Sequence, residues 1–252
     1  MEVFVVDNAS TDGSKDYFSD KFPEVRFFWN DRNEGFGKAN NSVLQHTSGE
    51  VVLFLNPDTE VPVTAFDACL NFLRSHSDCG ALGVRMVDAK GVFLIESKRG
   101  IPTASASFFK MTGLHRLFPS SRTIAAYYAG HLPEKEVNPV EVLSGAYFMV
   151  TKKALAVVKG FDEDFFMYGE DIDLSIRIRQ AGFVNYYFPE VTVLHHKGES
   201  TPKKNAFYTR NFYGAMALFV KKYYKKKPVL RASMLLAIRC SQLLADVKRK
   251  IV

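Results

Sequence analysis

Two carboxylates leave apolar strands about one βαβ unit apart. Val3-Phe4-Val5-Val6 runs into Asp7-Asn8-Ala9-Ser10-Thr11-Asp12-Gly13-Ser14, and Val51-Val52-Leu53-Phe54-Leu55 runs into Asn56-Pro57-Asp58. In an open α/β sheet, ligands sit in the crevice at the carboxyl ends of the strands. Asp7 and Asp58 are therefore aimed at one shared ligand, and a nucleotide with its metal suits two such acids. Pro57 fixes the turn and disfavours a helical Asn56, which holds Asp58 at the strand's mouth. An Asx turn closing a strand is the plain structural alternative for Asn-Pro-Asp. Its spacing from Asp7 favours the site.

The densest constellation is Phe161-Asp162-Glu163-Asp164-Phe165-Phe166-Met167-Tyr168-Gly169-Glu170-Asp171-Ile172-Asp173. Acids in a helix's first turn complement the macrodipole and cap free amides, which accounts for one or two of these carboxylates. It does not account for Phe165, Phe166, Met167 and Tyr168 just upstream. Apolar walls around a carboxylate raise its proton affinity, which suits a general base. His195-His196 ends the apolar strand Val191-Thr192-Val193-Leu194, and alternation lets at most one of the pair face a cleft. A histidine there, beside a metal carboxylate, reads as a ligand. Gly35-Phe36-Gly37 lacks the third glycine and the strand context of a dinucleotide fingerprint, which excludes a Rossmann dehydrogenase.

These residues need a frame. Strands are expected at Glu2–Val6, Val25–Trp29, Val51–Leu55 and Ala81–Val87, with helices over Lys15–Asp20, Lys38–His46 and Ala65–Ser75. Continuous apolar strands alternating with helices predict an α/β fold with a mostly parallel sheet covered on both faces. Residues 97–139 hold Pro102, Pro119, Pro133 and Pro139 with several serines and aromatics. They read as a long, partly helical excursion, of the kind that carries function. Regular structure is expected again over Val140–Thr151, in helices Lys152–Val158 and Glu170–Ala181, and in a strand pair through Tyr186–His195.

The formal charge of +6 is unevenly placed: residues 1–220 sum to −3 and residues 221–252 to +9. Basicity confined to a tail argues against a nucleic-acid partner. Cys69, Cys79 and Cys240 form no metal spacing and leave an odd thiol, which fits a reducing compartment. The opening residues lack the basic flank and apolar core of a secretory signal, so a cytoplasmic location is expected.

Taken in order, the strings Val5–Ser14, Asn33-Glu34-Gly35-Phe36-Gly37-Lys38-Ala39-Asn40, Phe54–Thr59, Ser144-Gly145-Ala146, Gly160–Asp173 and His195-His196-Lys197-Gly198-Glu199-Ser200-Thr201 resemble the inverting family-two glycosyltransferases, in particular the bacterial rhamnosyltransferase-like branch. The resemblance implies a type A glycosyltransferase fold, Rossmann-like and flanked by helices, over residues 1–220, with the 97–139 excursion near the acceptor side. It implies metal-dependent, inverting transfer of a sugar, rhamnose or a similar hexose, from a nucleotide-diphosphate sugar. The acceptor would be a glycan or lipid-linked, in cell-surface polysaccharide synthesis. Carried over by position, Asp7 reads the base, while Asn33, Gly35, Asn40, Asn56 and Gly145 line the nucleotide sugar. Asp58 and His195 hold Mg²⁺ or Mn²⁺. Asp171, with Glu170 beside it, is the general base. Members of the family begin with a further strand and helix, so an inner strand of the sheet is expected to be missing here, with ladder groups left unpaired.

The tail, residues 221–252, reads as a basic amphipathic helix with Val229, Leu236, Cys240, Leu243, Leu244, Val247 and Ile251 on one face. Arg231, Arg239 and Asp246 argue against a membrane span. Packing on the domain competes with lying on an anionic membrane surface, and Lys221-Lys222 with Lys225-Lys226-Lys227 favours the membrane's cytoplasmic face. Two other functions compete with transfer. One is a truncated, non-catalytic sugar-nucleotide-binding or scaffold protein. The other is a nucleotidyltransferase, whose Gly-rich basic loop after the first strand is not seen.

Overall fold

The computed structural model describes residues 1–18, 21–196 and 205–251. The expected residues 19–20 of the first helix, and Lys197–Thr201 of the last motif, lie outside them. The chain runs β1 (Val3–Asp7), α1 (Ser14–Phe18), β2 (Val25–Trp29), α2 (Phe36–Leu44), β3 (Val51–Leu55), β4 (Thr59–Glu60), α3 (Thr64–Ser75) and β5 (Cys79–Val87). The excursion holds β6 (Lys98–Arg99) and α4 (Ala104–Met111) with short 3₁₀ turns. Then follow β7 (Asn138–Val140), β8 (Val142–Leu143), β9 (Tyr147–Thr151), α5 (Lys152–Val158), α6 (Glu170–Gln180), β10 (Val184–His195), α7 (Ala206–Tyr223) and α8 (Pro228–Ile251).

The α/β architecture stands, but the main sheet is mixed rather than mostly parallel. Its strand order is β3-β9-β5-β10-β4, with β7 also on β10. Only β5 and β10 run parallel in it; β9 enters antiparallel between β3 and β5, and β4 and β7 lie antiparallel on β10. Sequence periodicity marks a buried strand but not its direction, which the connections decide. Tyr147, Phe148, Met149 and Val150 of β9 are all buried, so both faces of the sheet are covered. On one face α3 presents Ala65, Cys69, Phe72 and Leu73, a helical spacing, to the cluster containing Leu82, Val84 and Val193. On the other, Leu174 and Ile178 of α6 pack with Phe148, Val150 and Tyr187.

Two local corrections follow from backbone chemistry. The expected strand pair at 186–195 is one twelve-residue strand whose register against β5 shifts between Phe188 and Thr192. Pro189 sits in that shift, where the missing donor does least harm. The excursion is tied to the body at its root: β6 pairs with β8, and buried Lys98 donates from Nζ to the carbonyls of Ala129 (2.9 Å) and Leu132 (2.8 Å). Burial lowers the basicity of that ammonium, and two carbonyls replace its water.

β1 and β2 form a separate parallel pair, and among the described residues β1 has no second partner and β3 pairs only with β9. The expected break in the sheet lies between β1 and β3. α2 bridges it, with Phe36 and Leu44 against the main core while the carbonyl of its N-cap, Gly35, accepts from Asn8 Nδ2 just past β1.

The basic run also divides. Lys222 pairs with Asp162 and with fully buried Asp173, and Tyr223 Oη donates to Asp173 at 2.6 Å. Lys222 thus belongs to the body rather than to a lipid-facing patch, because an unpaired Asp173 would be costly. α8 lies on α7 through Met234, Leu235 and Ile238, and leaves Leu236, Leu243, Leu244 and Val247 exposed.

Candidate active site

Asp7, Asp58 and His195 sit at or just past the carboxyl ends of β1, β3 and β10. After β1, Asp7 Oδ1 accepts from Ser10 N at 2.9 Å, an Asx-type turn. Asn8 is the hub of this corner: its Nδ2 donates to Gly35 O at 3.2 Å and its Oδ1 accepts from Asn30 Nδ2 at 2.9 Å. Asn33 Oδ1 accepts from Gly35 N at 2.9 Å, so that carboxamide shapes its own loop. Gly35 has φ +85°, and a Cβ there would collide with the Phe166 carbonyl oxygen. Phe36 N donates to that oxygen at 2.9 Å. Asn40 donates back to Phe36 O at 2.9 Å, spending Nδ2 on its own helix. Trp29, the register partner of Asp7, lines an open depression of about 450 Å³ with Asn30, Asp31, Arg32 and Glu34.

Asp58 and His195 converge from distant parts of the chain. β4 zips onto the end of β10 with Thr59 opposite His195, and His196 N donates to Asp58 O at 2.8 Å. This register sets His195 Nε2 3.2 Å from Asp58 Oδ1, with side chains only 10% and 11% exposed. His196 turns outward onto Glu60 at 2.6 Å. Asp58 Oδ1 and His195 Nδ1 are buried without a hydrogen-bond partner among the described residues. An orphaned carboxylate oxygen facing an imidazole is a donor set that fits a divalent cation. Among the described residues no third protein ligand joins them, so other coordination positions would fall to a diphosphate and water. Asn56 N donates to Ala146 O at 3.0 Å, which locks this corner to Ser144-Gly145-Ala146.

Asp171 occupies the first turn of α6. Its Oδ2 accepts from Gly145 N at 3.1 Å and pairs with Arg99 Nη2, while Oδ1 accepts from Ile172 N at 2.8 Å. The same Arg99 nitrogen donates to Leu143 O at 2.9 Å. Tyr127 lies against the guanidinium. Burial alone would lower the Arg99 pKa, but Asp171 and Tyr127 turn the net shift upward.

The aromatic side chains expected to wall the candidate base sit elsewhere. Phe165 is buried among Ile176, Phe219, Val220 and Ile238. Phe166 packs on Phe207, and Tyr168 on Tyr208 and Phe212. These side chains anchor α7, and what faces Asp171 is a cation. The perturbed carboxyl is Glu170: burial, and then the charge of Asp171, push it up to about 8. Its Oε2 has no partner among the described residues. Asp173 is consumed by Arg177, Lys222 and Tyr223.

Asn8, Asn41, Arg99 and Tyr127 are the residues that sequence reasoning missed. Asn41 braces the 161 loop from α2, both giving to Phe161 O and accepting from Phe161 N at 2.9 Å. Arg99 had one signal, a Lys98-Arg99 pair opening a segment with no acids. The other three had none.

Comparison with known proteins shows the family. The pattern of Glycosyl transferase family 2 matches residues 1–133. The N-acetylglucosaminyl-diphospho-decaprenol L-rhamnosyltransferase of Mycobacterium tuberculosis is 33% identical over 221 residues, which is 82% of this chain and 70% of that protein. Among solved structures, S. aureus TarS 1-349 in complex with UDP-GlcNAc superposes with TM-score 0.58 at 17% identity, over 94% of this chain and 62% of that one. The mannosyltransferase PcManGT from Pyrobaculum calidifontis, in complex with GDP-Man and Mn²⁺, gives TM-score 0.54 at 18% identity, over 98% and 66%. The chain thus spans less than two thirds of these two solved chains, which share its fold. The family match over more than half of the chain and the 33% identical relative lead to one conclusion: the chain belongs to glycosyl transferase family 2.

Proposed function

We propose that this chain transfers a sugar, with rhamnose the first candidate, from a nucleotide-diphosphate sugar to a glycan or lipid-linked acceptor in cell-surface polysaccharide synthesis. The observation that carries the reading is the Asp58–His195 pair, whose corner is tied by Asn56 N to Ala146 O, next to Gly145, whose N–H holds Asp171. The 33% identical relative is named for rhamnosyl transfer to N-acetylglucosaminyl-diphospho-decaprenol, which supports the choice of donor and acceptor class.

Asp7 and the Asn33–Gly35 loop receive the nucleotide beside the Trp29 depression. Asp58 and His195 would hold Mg²⁺ or Mn²⁺, which would stabilise the charge collecting on the departing diphosphate. Asp171, oriented by Gly145 N and Arg99, takes the proton of the acceptor hydroxyl. That oxygen then forms its bond at the anomeric carbon as the bond to the diphosphate oxygen breaks on the opposite side, so configuration inverts.

The location that suits such an acceptor is the cytoplasmic face of a membrane, with α8 lying on it. Pro228–Arg249 is long and apolar enough to cross a bilayer by length and composition alone. Arg231, Arg239 and Asp246 along it favour an interfacial position.

A panel of nucleotide sugars read by saturation-transfer NMR with Mg²⁺ or Mn²⁺ tests the proposal. Binding of at least one donor, followed by transfer to a polyprenyl-diphosphate acceptor, is expected. Absence of binding to every donor overturns it. Binding without transfer to any acceptor favours the second reading, a sugar-nucleotide-binding chain that does not turn over.

A further inference from the structure

Residues 100–132 carry features that the transfer chemistry leaves unused. Between Gly100 and Leu132 there is no acidic residue, against three permanent cations, Lys110, Arg116 and Arg122. The same stretch exposes Phe108 (58%), Met111 (60%), Leu117 (72%) and Phe118 (53%). Phe108 and Met111 stand one turn apart on α4, and Leu117 and Phe118 follow the 3₁₀ turn Leu114–Arg116. Four large apolar side chains within eleven residues, on or next to two elements that pack on each other, exceed the single scattered exposures of ordinary surfaces. Arg116 and Arg122 are exposed and make no ion pair among the described residues. Apolar side chains rimmed by charge of one sign complement an anionic lipid surface, where the apolar groups leave water and the cations meet phosphate.

We propose that the 100–132 segment is a foot that seats the chain on an anionic bilayer, with Phe108, Met111, Leu117 and Phe118 entering the interface and Arg116 and Arg122 meeting lipid phosphates. Its exposed side chains belong to a different part of the chain from α8, and they connect to the chemistry through side chains. Lys110 Nζ sits 3.6 Å over the Tyr127 ring, Tyr127 lies against Arg99, and Arg99 holds Asp171. Resting on the proposed function, this placement sets the candidate base three side chains from the surface that would deliver a lipid-linked acceptor.

The test places a polarity-sensitive fluorophore at Leu117→Cys in the full chain with Cys240→Ser, since Cys69 and Cys79 are buried. Vesicles of phosphatidylcholine with phosphatidylglycerol should shift the emission to the blue at low salt. Vesicles of phosphatidylcholine alone, inorganic phosphate and glycerol phosphate should not. Arg116→Glu with Arg122→Glu should weaken vesicle binding about tenfold or more without moving the thermal midpoint. A label that still reads water at saturating anionic vesicles overturns the proposal, even with the chain bound through α8. So does concentration-dependent dimerisation abolished by Phe108→Ser with Met111→Ser, which would assign the patch to a second copy. No donor or acceptor enters this assay, so failed transfer leaves its result untouched, and a failed shift leaves transfer untouched.

Discussion

Arg99 Nη2 and Asp171 Oδ2 form an ion pair between residues 72 positions apart, with side chains only 12% and 14% exposed. The pair joins the root of the excursion to the first turn of α6. It also sets the direction in which the candidate base points, because Gly145 N binds the same carboxylate oxygen. Arg99 is therefore a positioning residue. Arg99→Lys keeps the charge but loses the planar fork. Turnover should fall by roughly tenfold to a hundredfold, with donor affinity unchanged in titrations. Equal loss of donor binding would place Arg99 on the donor instead.

Asp58 and Asp171 should fail in different ways. Asp58→Ala removes the orphaned oxygen that faces His195, so Mn²⁺-dependent donor binding should weaken. Asp171→Ala should leave donor binding nearly intact while lowering turnover about a hundredfold or more. Parallel calorimetry and rate measurements separate the two.

Glu170 gives a pH signature. Its pKa is raised by burial and by Asp171 to about 8 in the folded chain, above an unfolded value near 4.5. Between those values the folded state keeps a proton that the unfolded state has lost. Its contribution is present in full below the unfolded pKa and is lost as pH rises through the folded one, at about 1.4 kcal/mol per pH unit. Glu170→Gln should therefore gain stability over the parent as pH rises from 5 to 8, in denaturant melts at each pH. Parallel curves would show that Glu170 is not protonated in the folded chain.

Gly35 and Gly91 form an internal control. Both have positive φ, +85° and +76°, but only at Gly35 would a Cβ meet backbone. Gly91→Ala should cost about 1 kcal/mol from φ alone. Gly35→Ala adds the clash with Phe166 O and disturbs the Phe36 N bond, for a loss of about 2–4 kcal/mol. Urea midpoints read the difference.

Lys222→Met should destabilise the chain by about 2–3 kcal/mol, since buried Asp173 would keep only Arg177 and Tyr223. A neutral effect would return Lys222 to the solvent-facing basic run. Thermal unfolding of the full chain decides it.

By itself the sequence determined the parts that depend on local pattern. Apolar runs ending in Asp7 and Asp58 marked strands and their mouths, Gly169 before Glu170 marked the start of α6, and alternation allowed only one of His195 and His196 to turn inward. These follow from the two-residue and 3.6-residue periods and from short-range turn chemistry. Tertiary structure alone decided which groups meet. The antiparallel direction of β9, the register that sets His195 opposite Thr59, and the pairing of β6 with β8 that brings Arg99 to Asp171 are long-range hydrogen-bond choices without a local signature. For the same reason the charge next to Asp171 was illegible. What faces Asp171 is a cation from the excursion rather than the aromatic side chains beside it in the chain.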